Sequence, residues 1–315
     1  MKAFRLSVPG NLLWAGEYAI LEPGGRGLAA AVDVRLEVTI TESSDFTVEG
    51  IWPGGGERWT PDRDGESTGS LVESVVMYLW KSSKLLRFPQ VLIQLDSSQF
   101  FDHHGRKRGL GSSAGIALAL CAVWDTLDRC WDQEATTQKA VLAHRAAQGG
   151  RGSGYDVAAS SFGGLGLFQG GVFPVWTKLD ETPFPPFVLF PGPEAVKTVS
   201  SISAWNTWKS QEPENFYFFL DQSNRAVQEL ARPSEWVQRR QAWERCKSLG
   251  IAIGEAIGRS AVLTSPFSDN EIFVKALGAG NETGLAIGFP LENFSPLPPH
   301  VEPFCLSSEG IRFEN

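Results

Sequence analysis

The chain has 315 residues, of which 42% are hydrophobic and 20% charged, as is ordinary for a soluble globular protein with room for two domains. It holds 28 lysine and arginine residues against 36 aspartate and glutamate residues, so its net charge is −8 and its isoelectric point is near 5.2. This acidic balance argues against a general nucleic-acid or anionic-membrane surface, and an anionic ligand would need a local positive site.

The N-terminal segment and the cysteines both favour a cytoplasmic location. Residues 1–14 lack the charged start and long apolar core of a signal peptide, and no run of 18 apolar residues occurs. The cysteines are far apart and form no CxxC pair, which is typical of reduced thiols and disfavours zinc. We expect no nucleic-acid or membrane partner, and the sequence leaves open a monomer or a homodimer.

The first part of the chain predicts strands around a helix. Alternating apolar residues predict strands over residues 2–8 and 34–41, with a glycine-punctuated connection at 10–27 between them. Residues 50–66 are rich in glycine, proline and charge and predict a surface excursion. Helical spacing over residues 70–86 is followed by a strand at 91–95.

The rest of the chain is predicted to be mostly helical. Residues 163–171 predict a short hairpin, and residues 181–193 carry five prolines around a short apolar core. We place the domain boundary near those prolines, which divides the chain into residues 1–182 and 183–315. A proline-rich loop is expected at 290–303, and the eleven scattered tryptophans favour core packing. The expected helices cover residues 114–127, 134–147, 214–230 and 235–259.

The most informative stretch is residues 109–115, here called the glycine turn, which directly precedes an apolar helix. Gly109 and Gly111 can adopt positive φ and have no Cβ, so backbone N–H groups can converge on an anion. Ser112 and Ser113 stand where an N-cap hydroxyl belongs, and the helix N-terminus adds positive charge. A phosphate site, naturally a nucleotide site, is predicted, although similar turns without ligands are common. The expected ligand-binding residues are Lys107, Arg108, Gly109, Leu110, Gly111, Ser112, Ser113, Ala114 and Gly115.

Three glycine-bearing motifs occur in order along the chain. The first is residues 9–20 (PGNLLWAGEYAI), the second is the glycine turn, and the third is residues 275–280 (KALGAG). Together they resemble the three signatures of the GHMP kinase superfamily. Residues 14–24 and 152–158 (GSGYDVA) are most similar to the phosphomevalonate kinase family. The resemblance implies an α+β fold, with an N-terminal domain like domain 2 of ribosomal protein S5, a ferredoxin-like C-terminal domain and a cleft between them.

The resemblance also implies an activity. The γ-phosphoryl group of ATP would pass to (R)-5-phosphomevalonate, giving 5-diphosphomevalonate and ADP, with Mg²⁺ held by Ser112 or Ser113. Asp156, on a glycine-flanked turn, matches the family's catalytic aspartate. Because the acceptor phosphate is largely ionised at neutral pH, we expect Asp156 to orient substrate or metal rather than abstract a proton. The implied substrate-binding residues are Glu17, Tyr18, Ser153, Gly154, Lys197, Ser200, Ser201, Gly278, Ala279 and Gly280.

The sequence departs from the family pattern in three places. Asn11 stands where these kinases usually place a lysine that bridges the transferring phosphate, and an amide cannot supply that charge. Residues 281–283 (NET) replace small glycines after the third motif, and residues 135–154 hold no carboxylate for the metal. We expect Asn11, Asp156 and Lys107 at the catalytic centre, with one of four cations replacing the missing lysine. These candidates are Lys107, Arg108, Arg151 and Lys197.

Other functions remain open. One is a related small-molecule kinase acting on mevalonate, homoserine or a sugar, against which Tyr18 and residues 152–156 (GSGYD) argue. Another is a protein of the same fold that binds a nucleotide or metabolite without turnover, for which Asn11 is the best support. A third is diphosphomevalonate decarboxylase, which acts on the product expected here.

Overall fold

A computed structural model describes residues 3–61, 69–83, 85, 87–179, 187–193, 198–232, 236–267, 272–278, 280, 283–287, 297–298 and 300–314. The chain forms two compact units. Unit 1 comprises Met1–Asn11, Ala31–Gly164 and Ser307–Asn315, and unit 2 comprises Leu12–Ala30 and Leu165–Leu306. The units interleave along the chain, so they do not coincide with a division after residue 182. That division remains a prediction, and residue 182 lies outside the described residues.

The described strands and helices are as follows. The strands are β1 (Phe4–Ala15), β2 (Arg26–Glu42), β3 (Thr47–Trp52), β4 (Gly55–Trp59), β5 (Val91–Asp96), β6 (Leu165–Gln169), β7 (Val175–Lys178), β8 (Phe187–Pro191), β9 (Phe273–Leu277), β10 (Thr283–Ile287), β11 (Glu302–Pro303) and β12 (Arg312–Glu314). The α-helices are α1 (Leu71–Ser82), α2 (Ser112–Leu127), α3 (Gln133–Ala147), α4 (Tyr155–Phe162), α5 (Thr198–Gln211), α6 (Pro213–Ala231) and α7 (Trp236–Ala256). Among the described residues, no helix is long and apolar enough to cross a membrane.

Unit 1 combines a mixed sheet with four helices. The strand order is β12-β1-β2-β5-β3-β4. The pairs β12–β1, β2–β5 and β3–β4 are antiparallel, and β3–β5 is parallel. Helices α1 to α4 pack against one another, and α2 is buried along most of its length. The C-terminal residues also belong to this unit, and the buried side chain of Arg35 binds them to the N-terminal strand. Its guanidinium donates to Ser7 Oγ at 2.9 Å and to Gly310 O at 2.7 Å. These bonds hold β12 beside β1.

Unit 2 contains the antiparallel sheet β11-β8-β10-β9 together with α5, α6 and α7. Strand β6 pairs with β7 and with residues 26–30 of β2. The expected core packing of tryptophan is confirmed here for Trp14, Trp205 and Trp243, which are fully buried. Trp14 packs on Trp243 with ring centroids 5.9 Å apart. The aromatic side chains therefore form much of the core of this unit.

The predicted helices are confirmed, and two of them begin at side-chain caps. Ser70 caps α1 by accepting a hydrogen bond from Glu73 N at 3.2 Å, and Asp132 caps α3 by accepting one from Ala135 N at 2.8 Å. Helices α4 and α5 were not predicted. Helix α4 has only eight residues, too short for its apolar spacing to stand out in the sequence.

Four segments differ from the sequence expectation. The connection predicted at residues 10–27 is wrong in its first part, because β1 continues to Ala15 with its apolar side chains buried. Residues 50–66 include the β3–β4 hairpin, which Trp59 anchors by packing on Phe46. The hairpin predicted at 163–171 is one strand, β6, and its partner β7 follows later. Within the proline-rich segment, β8 is a buried strand paired with β10.

Candidate functional site

The glycine turn in unit 1 has a shape that depends on two glycines. Gly109 and Gly111 have positive φ values of 71° and 74°. A Cβ on Gly111 would lie 2.1 Å from Asn11 Nδ2, so no side chain fits there. Gly111 is the N-cap residue of α2, and Ser112 is already helical. The expectation that Ser112 or Ser113 caps this helix is therefore wrong, and neither hydroxyl is used as a cap.

The N-terminus of α2 provides hydrogen-bond donors at the end of the glycine turn. The first helical bond runs from Gly115 N to Gly111 O at 3.2 Å, so the N–H groups of residues 112–114 precede it. The positive end of the helix dipole lies at the same place. Ser112 and Ser113 are half-buried beside these donors. Backbone donors, a helix dipole and hydroxyl groups together fit a phosphate ligand.

Asn11 lies beneath the glycine turn and connects it to α4. Its backbone N–H donates to Leu110 O at 3.0 Å, and its Nδ2 donates to Ser160 Oγ at 3.0 Å. Both Asn11 and Ser160 are buried. The residue that replaces the family lysine therefore binds the glycine turn through its backbone and α4 through its side chain.

Asp156 lies in the first turn of α4 rather than on a glycine-flanked turn, which corrects the sequence interpretation. Gly154 is the N-cap residue, with φ of 85°, and a Cβ there would lie 2.7 Å from the Val141 side chain. Asp156 Oδ1 accepts a hydrogen bond from Val157 N at 2.9 Å. The carboxylate is 22% exposed, so it can reach a ligand.

The last turn of α3 supports the segment before Asp156. Arg145 donates through Nε to Gly152 O at 2.9 Å and through Nη2 to Ser153 O at 2.6 Å. Burial lowers the pKa of Arg145, and the Asp156 carboxylate offsets part of this effect. Ser153 is buried, and its Oγ accepts a hydrogen bond from Tyr155 N at 3.4 Å. The cation of Arg145 thus holds this segment through its carbonyl groups.

The candidate cations near the glycine turn have different surroundings. Lys107 is exposed, with Nζ 6.0 Å from the centroid of the Phe101 ring. Arg108 is half-buried, and its backbone N–H donates to Phe100 O at 3.0 Å. Arg151 is exposed. Lys197 lies outside the described residues. Ala279 of the third motif and residues 281 and 282, which follow the motif, also lie outside them.

A small, partly open pocket in unit 2, here called the cavity, brings the first and third motifs together. Glu17 and Tyr18 come from the first motif, and Gly278 and Gly280 from the third. The other lining residues are Lys247, Gly250, Gly254, Arg259, Ala261, Lys275 and Ala276. Three lysine or arginine side chains thus face a single carboxylate. This excess of positive charge makes the cavity suitable for an anion.

Glu17 and Lys275 form a buried ion pair in this cavity. Lys275 Nζ donates to Glu17 Oε1 and, at 2.8 Å, to Ala276 O. Burial raises the pKa of Glu17, and the Lys275 ammonium group offsets part of the rise. Gly250 on α7 lines the same cavity, and a Cβ there would lie at an ordinary contact distance of 4.0 Å from Glu17 Oε2.

Tyr18 is held in a conformation that is unusual for a side-chain-bearing residue. Its φ is 64°, and its ring stacks on Trp205 with centroids 5.6 Å apart. Burial raises the pKa of Tyr18 to about 12, while a side-chain hydrogen bond with Ser201 lowers it. Ser201 is fully buried, and Ser200 is half-buried on the same helix, α5. Ser201 therefore supports Tyr18 from within the core.

Sequence reasoning missed the contribution of α7 and the residues after it. Lys247, Gly250 and Gly254 lie on α7, and Arg259 follows the helix. A Cβ on Gly254 would lie 2.2 Å from Arg259 O, so the chain folds back closely over this glycine. Two glycines four residues apart within a helical pattern were the available signal.

A family comparison covers the part of the chain that carries the glycine turn and Asp156. Residues 71–164 match the family model described as the GHMP kinases N terminal domain. The resemblance to GHMP kinases is thereby confirmed, and both the glycine turn and α4 lie within the matched segment, here called the GHMP kinase domain.

Similar proteins extend the comparison beyond the GHMP kinase domain. A phosphomevalonate kinase from a Streptomyces species is 30% identical over 187 residues, covering 51% of this chain and 48% of that protein. A mevalonate kinase from Archaeoglobus fulgidus is 26% identical over 267 residues, covering 84% and 82%. The chain spans about half the length of the phosphomevalonate kinases that it matches.

The expected α+β fold is confirmed. The structure of Streptococcus pneumoniae phosphomevalonate kinase in complex with phosphomevalonate and AMPPNP superposes with a TM-score of 0.72 at 18% identity. The superposition covers 96% of this chain and all of that one. The GHMP kinase fold therefore extends over nearly the whole chain.

Replacing Gly111 with alanine tests the contact with Asn11. Alanine at this position would be strained by the positive φ, and its Cβ would clash with the Asn11 amide. We therefore expect the free energy of unfolding, measured in urea, to fall by about 2 kcal/mol or more. Gly105→Ala is the matched control, because Gly105 has a φ of 74° and nothing within 4 Å of an added Cβ. The double variant Asn11→Ala/Gly111→Ala should lose less free energy of unfolding than the two single variants lose together. Additive losses would contradict the contact.

Replacing Lys275 with methionine leaves Glu17 buried without its partner. We expect a loss of about 3–5 kcal/mol at about pH 8. The pKa of Glu17 is then raised by burial alone, and a folded state that binds a proton more tightly loses stability as pH rises above the unfolded pKa. The variant should therefore be closer in stability to the native chain at about pH 5. Urea unfolding at both pH values measures the difference in free energy of unfolding between the variant and the native chain. In the double variant Glu17→Gln/Lys275→Met, this difference should not depend on pH, because no carboxyl group is left at position 17.

Proposed function

We propose that this protein transfers the γ-phosphoryl group of ATP to 5-phosphomevalonate, producing 5-diphosphomevalonate and ADP. The cavity of unit 2 carries the proposal, because it joins two sequence motifs to Lys247, Arg259 and Lys275. An acceptor that bears both a carboxylate and a phosphate suits this excess of positive charge. The names of the similar phosphomevalonate kinases support the same acceptor.

In this proposal, the glycine turn holds the triphosphate of ATP. The N–H groups of residues 112–114 and the positive end of α2 would bind phosphate oxygens. Among the described residues, no three His, Cys, Asp or Glu side chains cluster as a metal site. As the resemblance implies, Mg²⁺ would be held by nucleotide oxygens and the hydroxyl of Ser112 or Ser113, both half-buried at the start of α2. When bound, the ion neutralises charge on the transferring phosphate.

Asp156 would orient the acceptor. Its carboxylate is partly exposed at the start of α4, where the helix dipole favours negative charge. The acceptor phosphate is ionised near neutral pH, so transfer needs alignment and charge neutralisation more than a base. Tyr18, with its raised pKa, would remain a neutral hydroxyl in the acceptor cavity.

The positive charge missing at Asn11 would come from another side chain. Lys107 and Arg108 directly precede the glycine turn, and neither side chain is buried. We propose Lys107 as the cation that approaches the transferring phosphate, with Arg108 beside it. Arg151 and Lys197 are the remaining candidates from the sequence.

Phosphorylation of mevalonate is a second candidate. The match to the archaeal mevalonate kinase covers more of this chain than the phosphomevalonate kinase matches do. A mevalonate hydroxyl has to lose its proton during transfer, so Asp156 would then act as a base. Binding without turnover is a third candidate, supported by the uncharged Asn11.

An acceptor panel tests the proposed function. The purified chain is incubated with Mg-ATP and mevalonate, 5-phosphomevalonate, homoserine or galactose, and ADP release is followed. We expect ADP with 5-phosphomevalonate alone. Arg259→Ala should raise the KM for this acceptor by about tenfold or more and leave the KM for ATP unchanged. Arg225→Ala is the control, because Arg225 is exposed and pairs with Asp221 away from the cavity lining. ADP with mevalonate alone would establish the second candidate, and ATP binding without ADP the third.

A charge scan tests the replacement for the missing lysine. Lys107, Arg108, Arg151 and Lys197 are each changed to alanine, and kcat is measured at saturating ATP and acceptor. We expect Lys107→Ala to lower kcat by about tenfold or more, since a cation near the transferring phosphate stabilises the transition state. Arg106→Ala is the control, because Arg106 is exposed and bound to Asp102. Unchanged turnover in all four variants would contradict the proposal.

A further inference from the structure

Two polar side chains of α3 and its C-cap lie behind Asp156, and the proposed function does not use them. His144 is buried, with 4% of its side chain exposed. Its Nδ1 lies 3.6 Å from Asp156 Oδ2, and its Nε2 lies 3.0 Å from Gln148 Nε2. The imidazole therefore bridges an amide and the partly exposed carboxylate.

The contact between Gln148 and His144 bears on which ring nitrogen carries the proton, because the amide nitrogen lies on the side of His144 Nε2. An amide nitrogen only donates hydrogen bonds, so His144 Nε2 has to accept. A neutral imidazole that accepts at Nε2 carries its proton at Nδ1, which is the nitrogen facing Asp156. The amide oxygen is accommodated beside Gly152, where an added Cβ would lie 3.0 Å from Gln148 Oε1.

Both oxygens of Asp156 then have a donor on the protein side. Oδ1 accepts from Val157 N at 2.9 Å, and Oδ2 faces the Nδ1–H of His144. At 3.6 Å the second contact is electrostatic rather than a formed hydrogen bond, and catalytic hydrogen bonds often tighten when substrate binds. Arg145 is the nearby charged group of α3, and its guanidinium is engaged by Gly152 O and Ser153 O.

We propose that His144 is a positioning residue, held by Gln148 as the Nδ1–H tautomer and orienting the Asp156 carboxylate toward the acceptor. This inference rests on the role proposed for Asp156 in phosphoryl transfer. His144 does not touch the reacting groups in this proposal. A misoriented carboxylate would slow the chemical step while leaving the binding of ATP and acceptor almost intact.

Two isosteric variants separate positioning from packing. The side-chain amide of asparagine can place its nitrogen near the position of Nδ1, whereas that of glutamine reaches the position of Nε2. We expect His144→Asn to retain kcat within about threefold, and His144→Gln and His144→Leu to lower kcat by about tenfold or more. The KM values for ATP and acceptor should change little in all three, and thermal unfolding reports their stability. Equal losses of kcat in His144→Asn and His144→Leu would overturn the proposal.

The tautomer is measured independently of activity by nitrogen NMR of the chain labelled with ¹⁵N-histidine. The chain has four histidines, and the His144→Asn variant identifies the signal of His144. We expect the Nδ1–H tautomer in the native chain and a proton at Nε2 in Gln148→Glu, where a carboxylate accepts in place of the amide. An Nε2–H or doubly protonated His144 in the native chain would overturn the inference. If no acceptor is phosphorylated, the proposed function fails, while this measurement still decides the tautomer.

Discussion

The close contact between Asn11 and Gly111 is the constraint on which unit 1's candidate site depends. Because Gly111 has no Cβ and a positive φ, the glycine turn can pack directly against the buried amide of Asn11. That amide donates a hydrogen bond to Ser160 on α4. One residue therefore connects the first motif, the glycine turn and the helix that carries Asp156. Any larger residue at Gly111 would disturb all three, because close-packed groups cannot absorb an added carbon atom without moving.

The position of Asn11 also changes how its missing charge is interpreted. From sequence, an amide in place of a lysine suggests a weakened catalytic centre. In the structure the Asn11 amide is buried and donates a hydrogen bond to Ser160, so this residue helps to hold the glycine turn in place. Positive charge is available elsewhere, on Lys107 and Arg108 before the turn and, in unit 2, on residues that line the cavity.

Each unit holds the polar side chains of its candidate site in place with buried partners. In unit 2, Trp205 and Ser201 hold Tyr18, and Lys275 neutralises Glu17. In unit 1, Arg145 and His144 support the segment around Asp156. Burying such polar groups is costly unless each has a partner, and the partners in turn restrict the orientation of the side chains that face the ligand.

The sequence by itself determined the motifs, the long helices and the family, because glycine spacing, caps and apolar periodicity are local properties. It placed Ser112, Ser113 and Asp156 on the wrong local elements, since the left-handed cap at Gly111 and the short helix α4 depend on packing against Asn11 and Val141. Only the tertiary structure joined Lys247 and Arg259 to Glu17, and His144 to Asp156. Those contacts depend on how distant or helically spaced side chains pack, which a linear pattern does not encode.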